Sequence, residues 1–418
     1  MKIEDLRLKK LSSLGGWLPK DKEAINVWLK NFIALHKCEQ KGKKLLPVVQ
    51  KLKNLIENDP EVYMLVNEMF SPVVTLKSLR EHCVPIKDYN EMLVFINCVL
   101  AIAPEFNKTN LVGFPINAIL NCSMATPAGT IFYLNKKVNK AFYSILEYWC
   151  KFLTSEESIY VLNESSSGWM CKEAMETIGI EQYRTQEQLN LKHWGYTSWN
   201  DFFTRKFKDD KQRPIEEQNN NKIIVSPCES TPYNIEKNIQ EYSQFWIKEQ
   251  PYSLKFMLAS EDKYVNKFIG GTIYQSFLSA FNYHRWHSPV NGKVVKAFIK
   301  QGSYYAESLS EGFDSAGPNN SQGYITQVAT RAIMIIKTED IGFVGIITIG
   351  MAEVSSCKFT VKENDIVKKG QDIGYFQYGG SSCCMIFEPN RIESFQENIL
   401  PTEDSKIVLV NSKIATAK

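Results

Sequence analysis

The chain has 418 residues, 44% of them hydrophobic and 23% charged, which is the composition of an ordinary globular protein. At about 150 residues per domain, this length predicts two or three domains. The 49 basic and 46 acidic side chains give a net charge of +3, so no nucleic-acid partner is expected. These values exclude a disordered tail, a collagen-like rod and a disulfide-rich miniprotein.

The amino-terminal segment is more basic than the rest of the chain. Residues 1–60 contain 13 Lys and Arg against 7 Asp and Glu, and a basic segment could make peripheral contact with anionic lipid. A solvated helical surface is the simpler interpretation, because the charges alternate in sign among apolar residues. The apolar run at residues 92–103 is shorter than the roughly 18 residues of a membrane span, so no transmembrane segment is expected.

The start of the chain and its cysteines indicate a cellular compartment. The first seven residues include two acids and lack the apolar core of a secretory signal. The ten cysteines form no C-x-x-C pair, which argues against a zinc site of that type, and no metal is expected. We therefore predict reduced thiols and a cytoplasmic location.

The first 185 residues show apolar side chains at the spacing of a helix. Asp59 is predicted to cap a helix that begins at Pro60, where a missing N–H costs nothing. The predicted buried stripes are Val48, Val49, Leu52, Leu55 and Ile56, then Val62, Leu65, Val66 and Met69, then Tyr143, Leu146, Trp149, Phe152 and Leu153.

A polar connection at residues 206–222 precedes a change of pattern, after which β-branched and alternating runs dominate. We predict an α+β fold, with a helical domain at residues 1–185 and a mostly-β domain at residues 186–418. Two glycine-punctuated segments, residues 289–294 and 361–374, are similar to the strand pairs of biotinyl and lipoyl carrier domains, although no lysine stands at a convincing hairpin tip. Strands are predicted at residues 222–225, 292–299, 343–349, 358–361 and 407–410, and a turn-rich loop at 314–323.

Two glycines followed by two serines form the first cluster with chemical potential, at residues 379–382. Glycine allows the backbone to approach a side chain closely, so Ser381 could attack the carbonyl of Gly380. The same four residues are more often an ordinary hairpin turn.

His284 and His287, two of the five histidines, form the second cluster. This spacing puts two side chains on one face of a helix but on opposite faces of an ideal strand. Pro289 and the apolar residues after it favour a strand end or loop, where both rings could converge. Catalysis, a metal site short of further ligands, and core packing all remain open.

Glu229, which follows Ser226-Pro227-Cys228, is the third candidate. A carboxylate at the end of a short strand could orient a histidine, and it could equally be a surface acid.

In this order the three clusters resemble the phosphatidylserine decarboxylase family of pyruvoyl enzymes. The matching elements are a carboxylate after Ser-Pro-Cys, then Tyr-His-Arg-x-His-x-Pro, then Gly-Ser near the carboxyl end, over roughly residues 222–400. Segments 15–19, 111–118 and 199–205 are similar to the subgroup with a soluble amino-terminal domain, which includes the tryptophan decarboxylase of psilocybin biosynthesis.

The resemblance implies that the chain cuts itself. Ser381 would attack Gly380, with His287 as general base and Glu229 orienting it, and would become the pyruvoyl cofactor. Fragments 1–380 and 381–418 would stay together as partner chains. The pyruvoyl group would form a Schiff base with the substrate amine and accept electrons as CO2 leaves, while His284 steadies the carbanion. The substrate expected is a free, aromatic amino acid; phosphatidylserine, giving phosphatidylethanolamine, is the alternative.

Two departures from the family pattern affect these assignments. Glu229 stands where Asp is usual, and the second serine makes Ser382 an alternative nucleophile; Ser381 is preferred because only it follows a glycine. Two other classes stay open: a serine hydrolase using Ser381, His287 and Glu229, although the Gly-x-Ser-x-Gly elbow is absent, and a non-enzymatic carrier module.

Overall fold

The structure is a computed structural model with helices in the amino-terminal part and sheets in the carboxy-terminal part, so the predicted α+β fold is confirmed. The basic segment 1–60 and the motifs at 15–19 and 111–118 lie wholly or partly outside the described residues. Those residues are 24–39, 44–71, 86–106, 115–243, 252–279, 281–309, 321–353, 355–378, 380–402 and 405–418.

The amino-terminal helices form one layer with its own apolar core. Short 3₁₀ helices lie at Glu156–Val161, Ile180–Gln182, Lys192–Gly195 and Asp210–Gln212. The α-helices of this layer are α1 (Ala24–Glu39), α2 (Pro47–Asn58), α3 (Pro60–Met69), α4 (Tyr89–Val99), α5 (Pro115–Met124), α6 (Pro127–Leu134), α7 (Lys136–Thr154), α8 (Lys172–Ile178), α9 (Gln186–Leu189) and α10 (Trp199–Phe203).

The start of α3 has the predicted geometry. The Asp59 carboxylate accepts the backbone N–H groups of Glu61 at 3.1 Å and Val62 at 3.3 Å, and Pro60 is the first helical residue. These bonds satisfy donors that have no partner inside the helix. The cap is therefore confirmed.

The predicted stripes face the core, with Val48, Leu55, Leu65 and Phe152 only partly buried there, and with one exception. Val49, Leu52 and Ile56 are buried along α2. In α7 the prediction for Tyr143 is wrong, since this side chain is 41% exposed, and the buried face runs through Phe142, Ile145, Leu146, Trp149 and Leu153.

The carboxy-terminal part contains three antiparallel sheets. The largest has the order β2-β3-β11-β7-β6-β5-β9, and the two smaller ones are β4-β10-β8 and β1-β13-β12. Helices α11 (Leu254–Met257), α12 (Asp262–Phe268) and α13 (Gln322–Val328) and a 3₁₀ turn at Glu397–Ile399 interrupt the strands. The strands are β1 (Ile223–Val225), β2 (Thr231–Lys237), β3 (Thr272–Leu278), β4 (Arg285–His287), β5 (Gly292–Lys300), β6 (Arg331–Lys337), β7 (Phe343–Met351), β8 (Cys357–Phe359), β9 (Ile366–Val367), β10 (Asp372–Phe376), β11 (Gly380–Phe387), β12 (Ile392–Phe395) and β13 (Lys413–Ala417).

Most of the predicted strands are present, and the two carrier-like segments pair through Gly292 and Val367. The strand predicted at residues 407–410 is wrong, because only an isolated bridge joins Val408 to Ser230 there. The predicted loop at 314–323 lies largely outside the described residues, and its end is wrong because α13 begins at Gln322.

The helical layer and the sheets share a buried contact. Residues of the second half, among them Tyr305, Ala352 and Tyr378, belong to the same apolar cluster as the helices. Helix α10 also packs in that cluster, so a domain boundary near residue 185 stays a prediction.

Two further features bear on the expected compartment. Seven described cysteines carry free thiols, whereas Cys122 is in a disulfide, so the prediction of reduced thiols is wrong for Cys122. Among the described residues no helix is long and apolar enough to cross a membrane.

Candidate active site

The predicted cleavage bond lies at the start of a central strand. Gly380 and Ser381 are the first residues of β11, which runs between β3 and β7. In the register, Ser381 stands opposite Gly350 on one side and Leu278 on the other, and Gly380 stands opposite Met351. A strand that is paired on both sides holds its backbone in one register, so the 380–381 bond has a fixed position.

Ser382 is buried and both hydrogen-bonding roles of its hydroxyl are taken. Its Oγ accepts a bond from Gln275 Nε2 at 2.7 Å and donates to the Ser276 carbonyl at 3.1 Å. Gln275 is itself held by the Tyr252 hydroxyl at 2.6 Å. The Ser382 hydroxyl is thus held in a hydrogen-bond network that links neighbouring strands.

His287, the last residue of β4, is bonded at both ring nitrogens. Nδ1 lies 2.7 Å from the Gly370 carbonyl and Nε2 lies 2.8 Å from the Tyr283 hydroxyl. Burial lowers the pKa of His287, with the Gly370 carbonyl opposing, so the ring is neutral at pH 7. A carbonyl can only accept, so Nδ1 carries the proton and Nε2 accepts from Tyr283.

Glu229 does not make the predicted contact with His287. Its carboxylate forms a buried ion pair with the guanidinium of Arg213, which lies in the otherwise mostly exposed connection at residues 206–222. Burial raises the pKa of Glu229, and Arg213 opposes that rise. A buried carboxylate requires a partner, and Arg213 supplies it.

His284 has an unusual environment for a polar ring. It is fully buried, stacks on Phe203 with 4.0 Å between the ring centroids, and neither ring nitrogen makes a hydrogen bond of ordinary geometry in the part of the chain that the structure describes, although the Asn282 backbone lies near enough to act on the ring. Burial, with the nearby charge of Arg205, lowers the pKa of His284 to about 3. A buried polar group without a well-formed hydrogen bond is costly, and a catalytic role is one of the reasons for which such a group is retained.

The segment at residues 199–205 positions this histidine from the helical layer. Helix α10 presents Phe203 to His284. Arg205, two residues later, donates to the backbone carbonyls of Phe281 at 2.7 Å and Asn282 at 3.2 Å. The motif therefore fixes the backbone that leads into the two histidines.

Backbone contacts bring the three predicted clusters together. The His287 N–H donates to the Pro227 carbonyl at 2.7 Å, and Asn282 Nδ2 donates to the Glu229 carbonyl at 3.1 Å. The Phe376 N–H donates to the His284 carbonyl at 3.0 Å, which places the histidines beside the segment that leads to Gly380.

Arg213 and Glu353 were not predicted as functional residues, and Tyr283 was considered only as a possible pocket or core aromatic. Tyr283 lies in the histidine motif, where its spacing of four residues from His287 was the available signal. Arg213 lies in a polar stretch and Glu353 in no motif, so their partners became visible only in the structure.

Comparison with known proteins agrees with this arrangement. The family model described as phosphatidylserine decarboxylase matches residues 199–415, and a second with the same description matches residues 46–178. The chain is 33% identical to the decarboxylase iboD of Amanita muscaria over 324 residues, covering 73% of this chain and 92% of that protein. It belongs to the phosphatidylserine decarboxylase family.

Relatives within the phosphatidylserine decarboxylase family differ in the substrates that their names state. An L-tryptophan decarboxylase of Psilocybe cubensis is 30% identical over 398 residues, covering 90% of this chain and 87% of that protein. A phosphatidylserine decarboxylase proenzyme of Fusobacterium nucleatum is 31% identical over 212 residues, covering 51% of this chain and 66% of that protein. The chain is thus a decarboxylase, that is, a carboxy-lyase, and the predicted family is confirmed.

Proposed function

We propose that this protein cleaves itself between Gly380 and Ser381 and then acts as a pyruvoyl-dependent decarboxylase of a free, aromatic amino acid. The observation that carries the proposal is His284, a fully buried imidazole without a well-formed hydrogen bond among the described residues, next to the segment that leads to the cleavage bond. The pyruvoyl group, made from Ser381, supplies a carbonyl that accepts the electron pair released with CO2.

Self-cleavage requires a nucleophile and a base. Ser381 follows a glycine and begins β11, whereas the hydroxyl of Ser382 is engaged by Gln275 and Ser276; this supports Ser381. His287 is neutral at pH 7, so its Nε2 can take the proton of Ser381 once the hydrogen bond from the Tyr283 hydroxyl to Nε2 is broken. Glu229 would help to position His287 without touching its ring. Its ion pair with Arg213 anchors the segment 227–229, and the His287 backbone N–H donates to the Pro227 carbonyl of that segment.

The proposed role of His284 follows from its charge and its surroundings. A pKa of about 3 means that the ring is neutral over the physiological range, so it can donate or accept a hydrogen bond without becoming charged. Phe203 holds the ring plane on one side. A neutral, oriented imidazole suits a group that steadies the carbon left after CO2 departs.

The small fragment would remain attached after cleavage. Residues 381–418 supply most of β11 and all of β12 and β13, and these strands pair with β3, β7 and β1 of the large fragment. Burying the apolar side chains of a central strand also stabilises this association.

An aromatic enclosure supports the small substrate over the lipid. Tyr378, two residues before Gly380, contacts Trp149 of α7 at 5.5 Å and Trp199 and Phe203 of α10 at 5.9 Å and 5.3 Å between ring centroids. These rings are buried, so the helical layer packs on the segment that leads to the bond. A buried, aromatic site suits an amino acid with a flat side chain better than a lipid held in a bilayer.

The test is an intact-mass measurement of the purified full chain, with assays of CO2 release. We expect two species, residues 1–380 and a 38-residue fragment that begins with a pyruvoyl group in place of Ser381. Ser381→Ala should abolish both cleavage and activity, and Ser382→Ala is the matched control that should keep cleavage. An active protein that consists of the uncleaved chain would overturn the proposal.

The same preparation identifies the substrate. CO2 release is compared for tryptophan, tyrosine, phenylalanine and phosphatidylserine vesicles of equal amine concentration. Release from a free aromatic amino acid supports the proposed substrate class. Release from vesicles alone would replace it with phosphatidylserine.

A further inference from the structure

The connection from β7 to β8 lies against the predicted cleavage bond. Met351 stands opposite Gly380, and the N–H of Ser355 donates to the Tyr378 carbonyl at 3.1 Å. Gly350, which stands opposite Ser381, has no room for a Cβ atom, because one would lie 2.7 Å from the backbone oxygen of Ser355. Ser355, in the loop whose described residues are 352, 353 and 355, therefore touches the strand partner of the proposed nucleophile.

This loop has a strained backbone. Ala352 has φ of 55° and Ser355 has φ of 45°, values in the left-handed region that non-glycine residues rarely occupy. Such residues persist only where surrounding contacts hold them. One such contact is the Ala352 N–H, which donates to the Tyr304 carbonyl at 3.0 Å.

Glu353 lies between the two strained residues and is fully buried. Its Oε1 accepts the backbone N–H of Asn117 at 3.0 Å, at the amino end of α5, and Tyr305 donates to Oε2 at 3.5 Å. The N–H groups at a helix start have no partner within the helix, and they carry a partial positive charge. The carboxyl of Glu353 is thus the link between the helical layer and the loop.

We propose that Glu353 is a positioning residue for self-cleavage, through which the amino end of α5 holds Ala352 and Ser355 against Tyr378 and against Gly350, the strand partner of Ser381. The inference rests on the proposed function, and it adds that the helical layer takes part in processing. Without the link, the strained loop can relax and the register beside the scissile bond is no longer fixed.

The charge state of Glu353 predicts a pH dependence of the cleavage rate. A purely structural role of this residue would not produce that dependence. Burial raises its pKa to about 8, with the N–H groups of Asn117 and Ile116 opposing. Two titratable side chains act on it, Tyr305 and Tyr378, and burial raises both of their pKa values well above 10, so neither changes charge below that pH. The carboxyl is therefore mostly neutral at pH 7 and ionises around pH 8 in a fully buried position.

The experiment follows cleavage of the full-length chain during cell-free translation, quenched at intervals and resolved by denaturing electrophoresis. Glu353→Ala should cleave at least tenfold more slowly than the wild type. Glu353→Gln should match the wild type at pH 7, because its amide oxygen still accepts the Asn117 N–H. Above pH 8 the wild type should slow while Glu353→Gln does not, because burial opposes the charged carboxyl more than the N–H groups favour it, and the loop must open to hydrate that charge.

Glu388 provides a matched control at the other end of the same strand pair. Its carboxylate accepts the Phe343 N–H at 2.9 Å where β7 begins, so this half-buried glutamate is also bonded to a backbone donor. Glu388→Ala should cleave at the wild-type rate. A tenfold loss in this variant would show that any damage to the β7–β11 pair has the same effect, and would overturn the specific role of Glu353.

Three results separate the outcomes. Wild-type cleavage by Glu353→Ala, or equal slowing of Glu353→Gln and wild type above pH 8, overturns the inference. If Glu353→Ala loses protease resistance and does not fold, the pH comparison of Glu353→Gln with the wild type decides alone. If the wild type itself never cleaves, the proposed function has failed instead.

Discussion

The Tyr283 hydroxyl lies 2.8 Å from Nε2 of His287, and this contact occupies the lone pair that a general base needs. The Gly370 carbonyl on the other side of the ring fixes the proton on Nδ1. His287, the proposed base, therefore has the tautomer in which Nε2 can accept a proton, and the Tyr283 hydroxyl occupies that nitrogen. Burial raises the pKa of Tyr283 far above its ordinary value, so the phenol remains a donor.

Tyr283→Phe should cleave at least as fast as the wild type, because Gly370 still orients the ring and Nε2 becomes free for Ser381. The cleavage rate is measured against pH in both proteins. Burial lowers the pKa of His287 below 6.5, so we expect the acid limb of the wild-type profile to have its midpoint below pH 6.5, since the base loses activity only when it takes up a proton. A tenfold loss in Tyr283→Phe would contradict this account and place the phenol on the path of the proton.

Removing Arg213 should destabilise the protein strongly. Arg213→Met leaves the buried carboxylate of Glu229 without its ion-pair partner, which typically costs about 3–5 kcal/mol in the free energy of unfolding at pH 7. The loss should be smaller at pH 5, because burial already raises the pKa of Glu229 and the unpaired carboxyl can take up a proton. Urea titrations at the two pH values measure both effects.

The exposed pair of Lys413 and Glu217, 2.8 Å apart, is the control for that experiment. Lys413→Met should cost less than about 1 kcal/mol, since water and salt screen exposed ion pairs. Equal losses for Arg213→Met and Lys413→Met would contradict the assignment of a structural anchor to Arg213.

Replacing His284 should separate stability from catalysis. His284→Phe removes a buried imidazole without a well-formed hydrogen bond among the described residues and should raise the free energy of unfolding by about 1–3 kcal/mol, with cleavage kept and CO2 release lost. The pKa of about 3 means that between pH 6.5 and 3 the unfolded chain binds a proton that the folded chain does not. The free energy of unfolding of the wild type therefore decreases as the pH is lowered from 6.5 to 3, by up to about 1.4 kcal/mol per pH unit from this group. The free energy of unfolding of the variant should decrease less steeply.

His193 offers a contrasting histidine, because its Nδ1 lies 2.6 Å from the Leu162 carbonyl. His193→Phe should lower the free energy of unfolding, since it leaves that carbonyl without its partner. Chemical denaturation of both variants provides the comparison. If His284→Phe also lost stability, the proposal that His284 is held in place for function would lose its support.

Local sequence predicted local structure well. Asp59 and Pro60 define the start of α3 because the cap involves residues within three positions of each other. Residues 407–410 form an apolar, mostly β-branched run typical of a strand, but they form only the bridge between Val408 and Ser230. Pairing with a distant segment decides whether such a run becomes a strand, and the run itself does not reveal the partner.

The sequence by itself determined the family, the α+β fold and the three clusters that meet at the site, because each of these depends on residue types at short spacings. The tertiary structure decided the partner of each titratable group. Glu229 pairs with Arg213 instead of His287, and Glu353 bonds Asn117 from 236 positions away. Burial and neighbours set the pKa of a side chain, and distant parts of the chain supply them, so no local pattern could have shown either pairing.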